Sequence, residues 1–228
     1  MAVGVHAGTA LAVLVLFWRD VVHILAGFIR GILRRDGSAR MAGCLIVTSI
    51  PAALVGLLAE DAVDAALSSP TFVAIGLLFT GGVLWYIESR VSAQGGRRIS
   101  RDGIGYGQAA AIGLAQAAAI FPGISRSGLT ISSALAVGLD RDFAASYSFI
   151  ASLPVILGGV ILFPFKQGNS ITTLAGGPIL VAAIAAAISG LFAMAFLRRL
   201  VRTGKLRYFS YYVWAVGLIT LFLQVRGM

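Results

Sequence analysis

Eight uncharged runs divide the chain: residues 2–18, 41–59, 65–87, 103–125, 127–139, 143–165, 167–197 and 208–225. About 20 consecutive apolar residues carry a helix across the hydrocarbon core of a bilayer. Most of these runs reach or approach that length. A water-soluble domain keeps about a quarter of its residues charged; in these 228 residues 12% are charged and 58% are hydrophobic. That apolar content excludes a disordered chain, and the lone Cys44 excludes a disulfide scaffold. No short repeat or low-complexity period is present. The expected fold is an all-α membrane protein, with helices as the spanning element. No soluble domain or linker interrupts it, so residues 1–228 are expected to form a single polytopic membrane domain.

The net charge is +9. A nucleic-acid partner is not expected, because the basic residues lie in short loops between apolar runs. Arg19, Arg30, Arg34, Arg35 and Arg40 sit in 19–40. Arg90, Arg97, Arg98 and Arg101 sit in 88–102, and Arg198, Arg199, Arg202, Lys205 and Arg207 in 198–207. These are 14 of the 18 basic residues, so the three loops are expected to be cytoplasmic. The loop around 60–70 carries Glu60, Asp61 and Asp64, and the loop after 165 only Lys166; both fit the outside. No secretory signal is evident, since residues 1–18 lack a basic start and Phe17-Trp18 is a poor cleavage site.

Run 103–125 ends in Pro122-Gly123, and run 127–139 is too short to cross alone. Between them Arg126 is the only charge in residues 103–139. The chain is inside at 88–102 and again at 198–207, while 143–165 and 167–197 cross out and back. Residues 103–139 must therefore leave the cytoplasmic side and return to it. Two full crossings or a re-entrant helix–break–helix both satisfy this, and the short second half favours the re-entrant hairpin. The expectation is six crossings plus that hairpin, with both termini outside. Irregular backbone at membrane depth survives only when buried in protein or lining a cavity.

The break reads Phe121-Pro122-Gly123-Ile124-Ser125-Arg126-Ser127-Gly128-Leu129-Thr130. Pro122 and Gly123 end the incoming helix, and Ser125 or Ser127 can cap the outgoing one. Thr130 follows Ser127 by three positions, so both hydroxyls fall near one face. Gly128 allows close backbone approach, and Gly123, Gly128 and Gln116 are expected to line the binding site. A helix start favours an anion, and Arg126 adds a planar fork suited to phosphate oxygens. The alternative is structural: Arg126 pairs with a carboxylate or with carbonyls, and the hydroxyls merely cap. A charge at membrane depth costs at least about 2.5 kcal/mol and marks function by default, so a phosphate site is expected. Arg126 would clamp phosphate, Ser125, Ser127 and Thr130 would donate hydrogen bonds, and the N–H groups of 127–129 would add to them.

Other polar residues carry less. His6 lies in the first run, as a cavity ligand or a hydrogen-bonded packing residue. His23 sits at the membrane edge with a structural role. Glu88 is expected to be a surface or interfacial carboxylate. Gln108 and Gln116, eight apart, share a face of the helix entering the break and can look toward a cavity. Asp140, Arg141 and Asp142 are expected in a solvated turn. The Gly- and Ala-rich stretch from Ala182 to Gly190 suits close helix packing. No His, Cys, Asp and Glu group has metal-ligand spacing, and no Walker loop or nucleophile elbow occurs.

The segment Gly113-Leu114-Ala115-Gln116, followed by Pro122-Gly123-Ile124-Ser125-Arg126-Ser127-Gly128-Leu129-Thr130, resembles the second signature of bacterial undecaprenyl-diphosphate phosphatases, the bacitracin-resistance family. Ser146-Tyr147-Ser148-Phe149-Ile150-Ala151-Ser152-Leu153-Pro154-Val155-Ile156-Leu157-Gly158 is similar to the family's next helix. His6-Ala7-Gly8-Thr9-Ala10-Leu11-Ala12-Val13 and Phe17-Trp18-Arg19 resemble its first full crossing. The resemblance spans essentially the whole chain. It implies six crossings and two re-entrant hairpins in an inverted repeat, in the bacterial cytoplasmic membrane. The implied activity is hydrolysis of undecaprenyl diphosphate to the monophosphate and phosphate, which recycles the lipid carrier for wall polymers. The implied partners are the polyprenyl diphosphate and membrane lipids, with a homodimer open. The family's first signature, Glu-rich and followed by Pro, paired Ser, Gly and His, has no match in these residues. A miscalled start is expected to account for that, with natural truncation as the alternative. By resemblance that signature supplies the nucleophile, the base and the carboxylates linked to a divalent cation, Mg or Ca, so activity of these 228 residues alone is an open expectation. The rival functions are an anionic-lipid transporter or flippase and a non-catalytic remnant.

Overall fold

A computed structural model describes residues 2–34, 39–93, 98–167 and 176–226. Ten α-helices follow one another among them: α1 (Ala2–Leu16), α2 (Trp18–Arg34), α3 (Arg40–Leu58), α4 (Glu60–Leu67), α5 (Pro70–Ala93), α6 (Tyr106–Ala118), α7 (Arg126–Ala136), α8 (Arg141–Gln167), α9 (Gly176–Arg202) and α10 (Leu206–Val225). The protein is an all-α membrane protein. Five helices are long and apolar enough to cross a bilayer: α3, α5, α8, α9 and α10. A sixth span arises if α1 and α2, bent by 84° at Phe17, count as one. Arg35 and Arg97, two of the charges used for orientation, lie outside the described residues, as does the side chain of Lys166.

Two segments expected as loops are helical. Residues 18–34 form α2, whose apolar residues recur with helical spacing. Residues 60–67 form α4, with Glu60 and Asp61 in its first turn, where carboxylates meet the positive helix end. The start of α5 is set locally. Pro70 takes the first helical position, where its missing N–H is no loss, and the Ser69 hydroxyl accepts the Phe72 N–H at 3.3 Å.

The chain forms two compact units, residues 1–42 with 149–199 and residues 43–148 with 200–228. In the first, α1 runs parallel to α9. Gly4 lies against the Ile179 backbone, Gly8 against Ala183, and Gly190 against Ala12. Small residues bring the two backbones close, the packing expected of the Ala182–Gly190 stretch. Phe17 stacks on Phe149 at 5.6 Å between centroids.

The second unit holds the candidate site. α5 and α10 are antiparallel neighbours: Arg207 donates to the Ser89 hydroxyl at 2.8 Å, and Trp214 Nε1 to the Leu78 carbonyl at 3.0 Å. Thr48 donates to the Ala109 carbonyl at 3.0 Å, so the buried Tyr147 phenol, 2.7 Å away, donates to Thr48. That chain ties α3, α6 and α8 together. Gly113 of α6 presses on the α3 backbone, where a Cβ would sit 2.7 Å from the Thr48 carbonyl oxygen.

Helices α6 and α7 form the helix–break–helix. At about 1.5 Å per residue they measure roughly 20 and 16 Å, short of the roughly 30 Å hydrocarbon core. The chain entering them and the chain leaving them lie side by side. The Ile99 N–H donates to the Gly138 carbonyl at 2.8 Å, and the Asp140 N–H to the Ile99 carbonyl at 2.9 Å. Residues 99–140 thus go in and come back to their starting point, which is the geometry of a re-entrant hairpin and not of two crossings.

Candidate active site

The break is built against α5. Gly123 has φ +82, a left-handed conformation that glycine adopts without strain. It turns the chain against the Val73 backbone. Gly76, one turn along α5, leaves room for it: a Cβ there would lie 2.9 Å from the Gly123 carbonyl carbon and the Pro122 carbonyl oxygen. One turn further, Thr80 holds both sides of the corner. Its buried hydroxyl accepts the Ser125 N–H at 3.1 Å and donates to the Gly123 carbonyl at 3.4 Å.

Ser125 is the cap of α7. Its backbone is extended, and its Oγ accepts the Gly128 N–H at 3.2 Å. Gly128 makes room for this cap and for Thr80: its Cβ would stand 3.0 Å from Ser125 Oγ and 3.3 Å from Thr80 Cγ2. The Leu129 N–H goes to the Ser125 carbonyl at 2.8 Å. The amides of 128 and 129 are therefore occupied, contrary to expectation. The amides left without an acceptor among the described residues are those of Arg126 and Ser127, the first two of the helix. Thr130 also differs from expectation, since its hydroxyl donates to the Arg126 carbonyl at 2.8 Å.

Arg126 is partly buried at the first position of α7, and its guanidinium has no hydrogen-bond or ion-pair partner among the described residues. The Ser127 hydroxyl, partly buried beside it, is also unpartnered there. The structural alternative, in which Arg126 is used up by a carboxylate or carbonyls, does not hold. The first two residues of α7 thus carry five side-chain N–H donors, a hydroxyl and two amides without partners among the described residues, at the positive end of a helix. Donors of this kind suit an anion with several oxygens, such as a phosphate.

Gln116 is fully buried on α6, and neither of its amide atoms has a partner; the buried Ser132 and Ser148 hydroxyls share that state. Ser133 donates to the Ala111 carbonyl at 3.2 Å. With α6 and α7 in register there, Gln116 stands about five residues nearer the break, level with the first turn of α7. Gln108 does not share its role: its Oε1 accepts the Gly105 N–H at 3.1 Å and closes the start of α6.

Two expectations are corrected. Glu88 is buried, 1% exposed, and no surface carboxylate. Arg141 grips it with two nitrogens at 2.9 and 2.7 Å and also donates to the Val201 carbonyl at 3.2 Å, while Ser92 donates to the same carboxylate at 2.9 Å. Residues 140–142 are not a solvated turn. Asp140 caps α8 through the Phe143 N–H at 2.9 Å, Arg141 pairs with Glu88, and only Asp142 reaches an exposed partner, Arg202 at 3.6 Å. The side chains of His6 and His23 are exposed.

The residues that sequence reasoning missed are Thr80 and Gly76. Their only sequence signal is a hydroxyl and a glycine four apart within an apolar helix, a spacing that places both on one face.

A divalent cation implied by the resemblance does not fit these residues. The donors at the break are hydroxyls, amides and a guanidinium, a set that repels a cation, and no group of three His, Cys, Asp or Glu gathers among the described residues.

Comparison with known proteins matches the family model described as "Bacitracin resistance protein BacA" over residues 1–219. The chain is 36% identical over 235 residues to the undecaprenyl-diphosphatase of Methanosphaera stadtmanae, covering 96% of this chain and 82% of that protein. It is 37% identical over 228 residues to that of Carboxydothermus hydrogenoformans, covering 98% and 82%. It is 40% identical over 177 residues to that of Methanothermobacter thermautotrophicus, covering 78% of this chain and 97% of that protein. A match of this extent, together with an unpaired arginine opening a broken helix, assigns the chain to the bacitracin resistance protein BacA family.

Proposed function

We propose that the protein hydrolyses undecaprenyl diphosphate to undecaprenyl phosphate and phosphate, and so returns the lipid carrier to cell-wall synthesis. The observation that carries this is the unpartnered Arg126 guanidinium at the start of α7. The names of the relatives, undecaprenyl-diphosphatase, support the choice of substrate. The residues act within one polytopic domain in the cytoplasmic membrane of a bacterium, as a monomer or a homodimer.

Hydrolysis forms a bond from water oxygen to the terminal phosphorus and breaks the bond to the bridging oxygen, which leaves with undecaprenyl phosphate. Such transfers are accelerated chiefly by positioning and by neutralising oxygen charge. Arg126 faces the non-bridging oxygens. The Ser127 hydroxyl and the Arg126 and Ser127 amides donate to them, and the Ser125 hydroxyl, already accepting from Gly128, still has its own proton to give. No carboxylate or imidazole is hydrogen-bonded to these groups among the described residues. Binding and charge neutralisation are what they contribute.

The break packs about 9 Å from the Pro70 end of α5 and about 26 Å from its Ala93 end, counting 1.5 Å per residue to Gly76. The acidic α4 precedes Pro70, and basic residues follow α5. With basic loops inside, the break lies in the outer half of the membrane, and the diphosphate enters from the outer face while its tail stays in lipid.

The test is phosphate release from undecaprenyl diphosphate by the purified chain in detergent, beside Arg126→Ala. Release that falls by about 100-fold or more in the variant is expected, the range for losing one preorganised donor. Equal release by both proteins contradicts the assignment. Binding without release, both by the unmodified chain and by a version carrying a donor first hairpin, replaces it with anionic-lipid transport.

A further inference from the structure

Helix α2 is unlike the other long helices. It is sharply two-faced, and no described part of the chain covers its apolar side. Trp18, Val22, Leu25, Ile29, Ile32 and Leu33 fall within roughly a 100° arc. They stay exposed, with Trp18 at 62%, Leu25 at 55%, Ile29 at 57% and Ile32 at 60%. Arg19, His23 and Arg30 lie on the opposite side, each exposed, and Asp20 is the one acid of the helix. A spanning helix facing lipid is apolar all round its exposed surface; a stripe of this width belongs to a helix lying at a boundary between water and lipid.

Its direction agrees. α1 runs alongside and parallel to α9, a helix long and apolar enough to span. α2 turns away from α1 by 84°. A helix almost perpendicular to a spanning direction lies almost in the membrane plane. The corner itself is basic: the Arg198 guanidinium sits 5.5 Å above the ring of Phe17, the residue between the two helices, and Arg19 follows at once. Trp18 opens the stripe, and tryptophan favours the headgroup level.

We propose that α2 is an interfacial helix that binds an anionic lipid surface, its apolar stripe sunk among the upper acyl chains and its arginines, with Arg198 at the corner, set against lipid phosphates. Each basic side chain near such a surface adds attraction that neutral lipid does not supply. The proposal is independent of the phosphate site at α7.

The experiment uses the full chain with Cys44→Ala, carrying nitroxide labels at Leu25→Cys, Ile29→Cys, His23→Cys or Arg30→Cys. Each is reconstituted in nanodiscs of phosphatidylcholine alone or with about a quarter phosphatidylglycerol. Labels at 25 and 29 are expected to collide with oxygen and to be shielded several-fold from an aqueous nickel chelate; labels at 23 and 30 should show the reverse. In the anionic discs the label at 29 should sit deeper, and Arg19→Gln with Arg30→Gln should erase that difference. Equal nickel access on both faces overturns the proposal. So does shielding of 25 and 29 from both quenchers, which would mean that a protein covers the stripe, and so does identical depth in the two kinds of disc.

Discussion

Arg126 occupies a costly position. A guanidinium that is partly buried in a membrane segment and unpaired among the described residues costs free energy and marks a functional site by default. Thr80 does quieter work, since one hydroxyl satisfies the Ser125 N–H and binds the Gly123 carbonyl. Thr80→Val keeps the shape and removes both bonds. It should cost about 1–3 kcal/mol, the penalty for a buried donor left unmade, and lower turnover with little change in substrate affinity. Thermal unfolding and steady-state kinetics in detergent check this; an unchanged melting temperature would contradict it. Gln116 should behave oppositely. Its buried amide lacks partners, so Gln116→Leu should raise the melting temperature by a few degrees and, if the amide meets substrate, raise KM. A fall in melting temperature would show that Gln116 has a structural partner.

Among the elements, the break is held by a helix that never enters it. α5 supplies Val73, Gly76 and Thr80 in successive turns, and only the absence of a side chain at 76 admits the Gly123 corner. Gly76→Val should cost about 1–3 kcal/mol by overpacking and reduce phosphate release more than stability alone explains; parallel melting and activity curves separate the two. At the other end of α5, Glu88, Arg141, Ser92 and the Val201 carbonyl form one network. Glu88→Ala leaves Arg141 facing a site that no longer matches it, and removing one partner of a buried pair costs about 3–5 kcal/mol. Glu88→Leu with Arg141→Met should recover much of that loss. A double variant as unstable as the single one would contradict this view of the pair.

For the whole molecule, the sequence patterns foretold the long apolar helices and the return of residues 103–139, because run length and loop charge report membrane crossing directly. The hydrogen bonds between Ile99 and residues 138–140 confirm that return. The break was legible too, since proline, glycine, serine and arginine each have a strong local preference there. What stayed hidden depends on distant partners. Glu88 looked interfacial because nothing in its own segment announces Arg141, 53 residues away. Thr80 and Gly76 looked like ordinary span residues until α7 was packed against them. The amphipathic α2 hid inside a charge count that read 19–40 only as a basic loop. Thr130 and the 128–129 amides looked available because local bonds that consume them are invisible in a list of residues.

Arg126 is proposed to hold the diphosphate. The most direct test is equilibrium binding of undecaprenyl diphosphate to the purified chain and to Arg126→Ala in detergent, scored without any turnover. A charge-assisted contact is worth about 1.5–3 kcal/mol, so the variant should bind about 10- to 100-fold more weakly. Undiminished affinity in Arg126→Ala would contradict the claim.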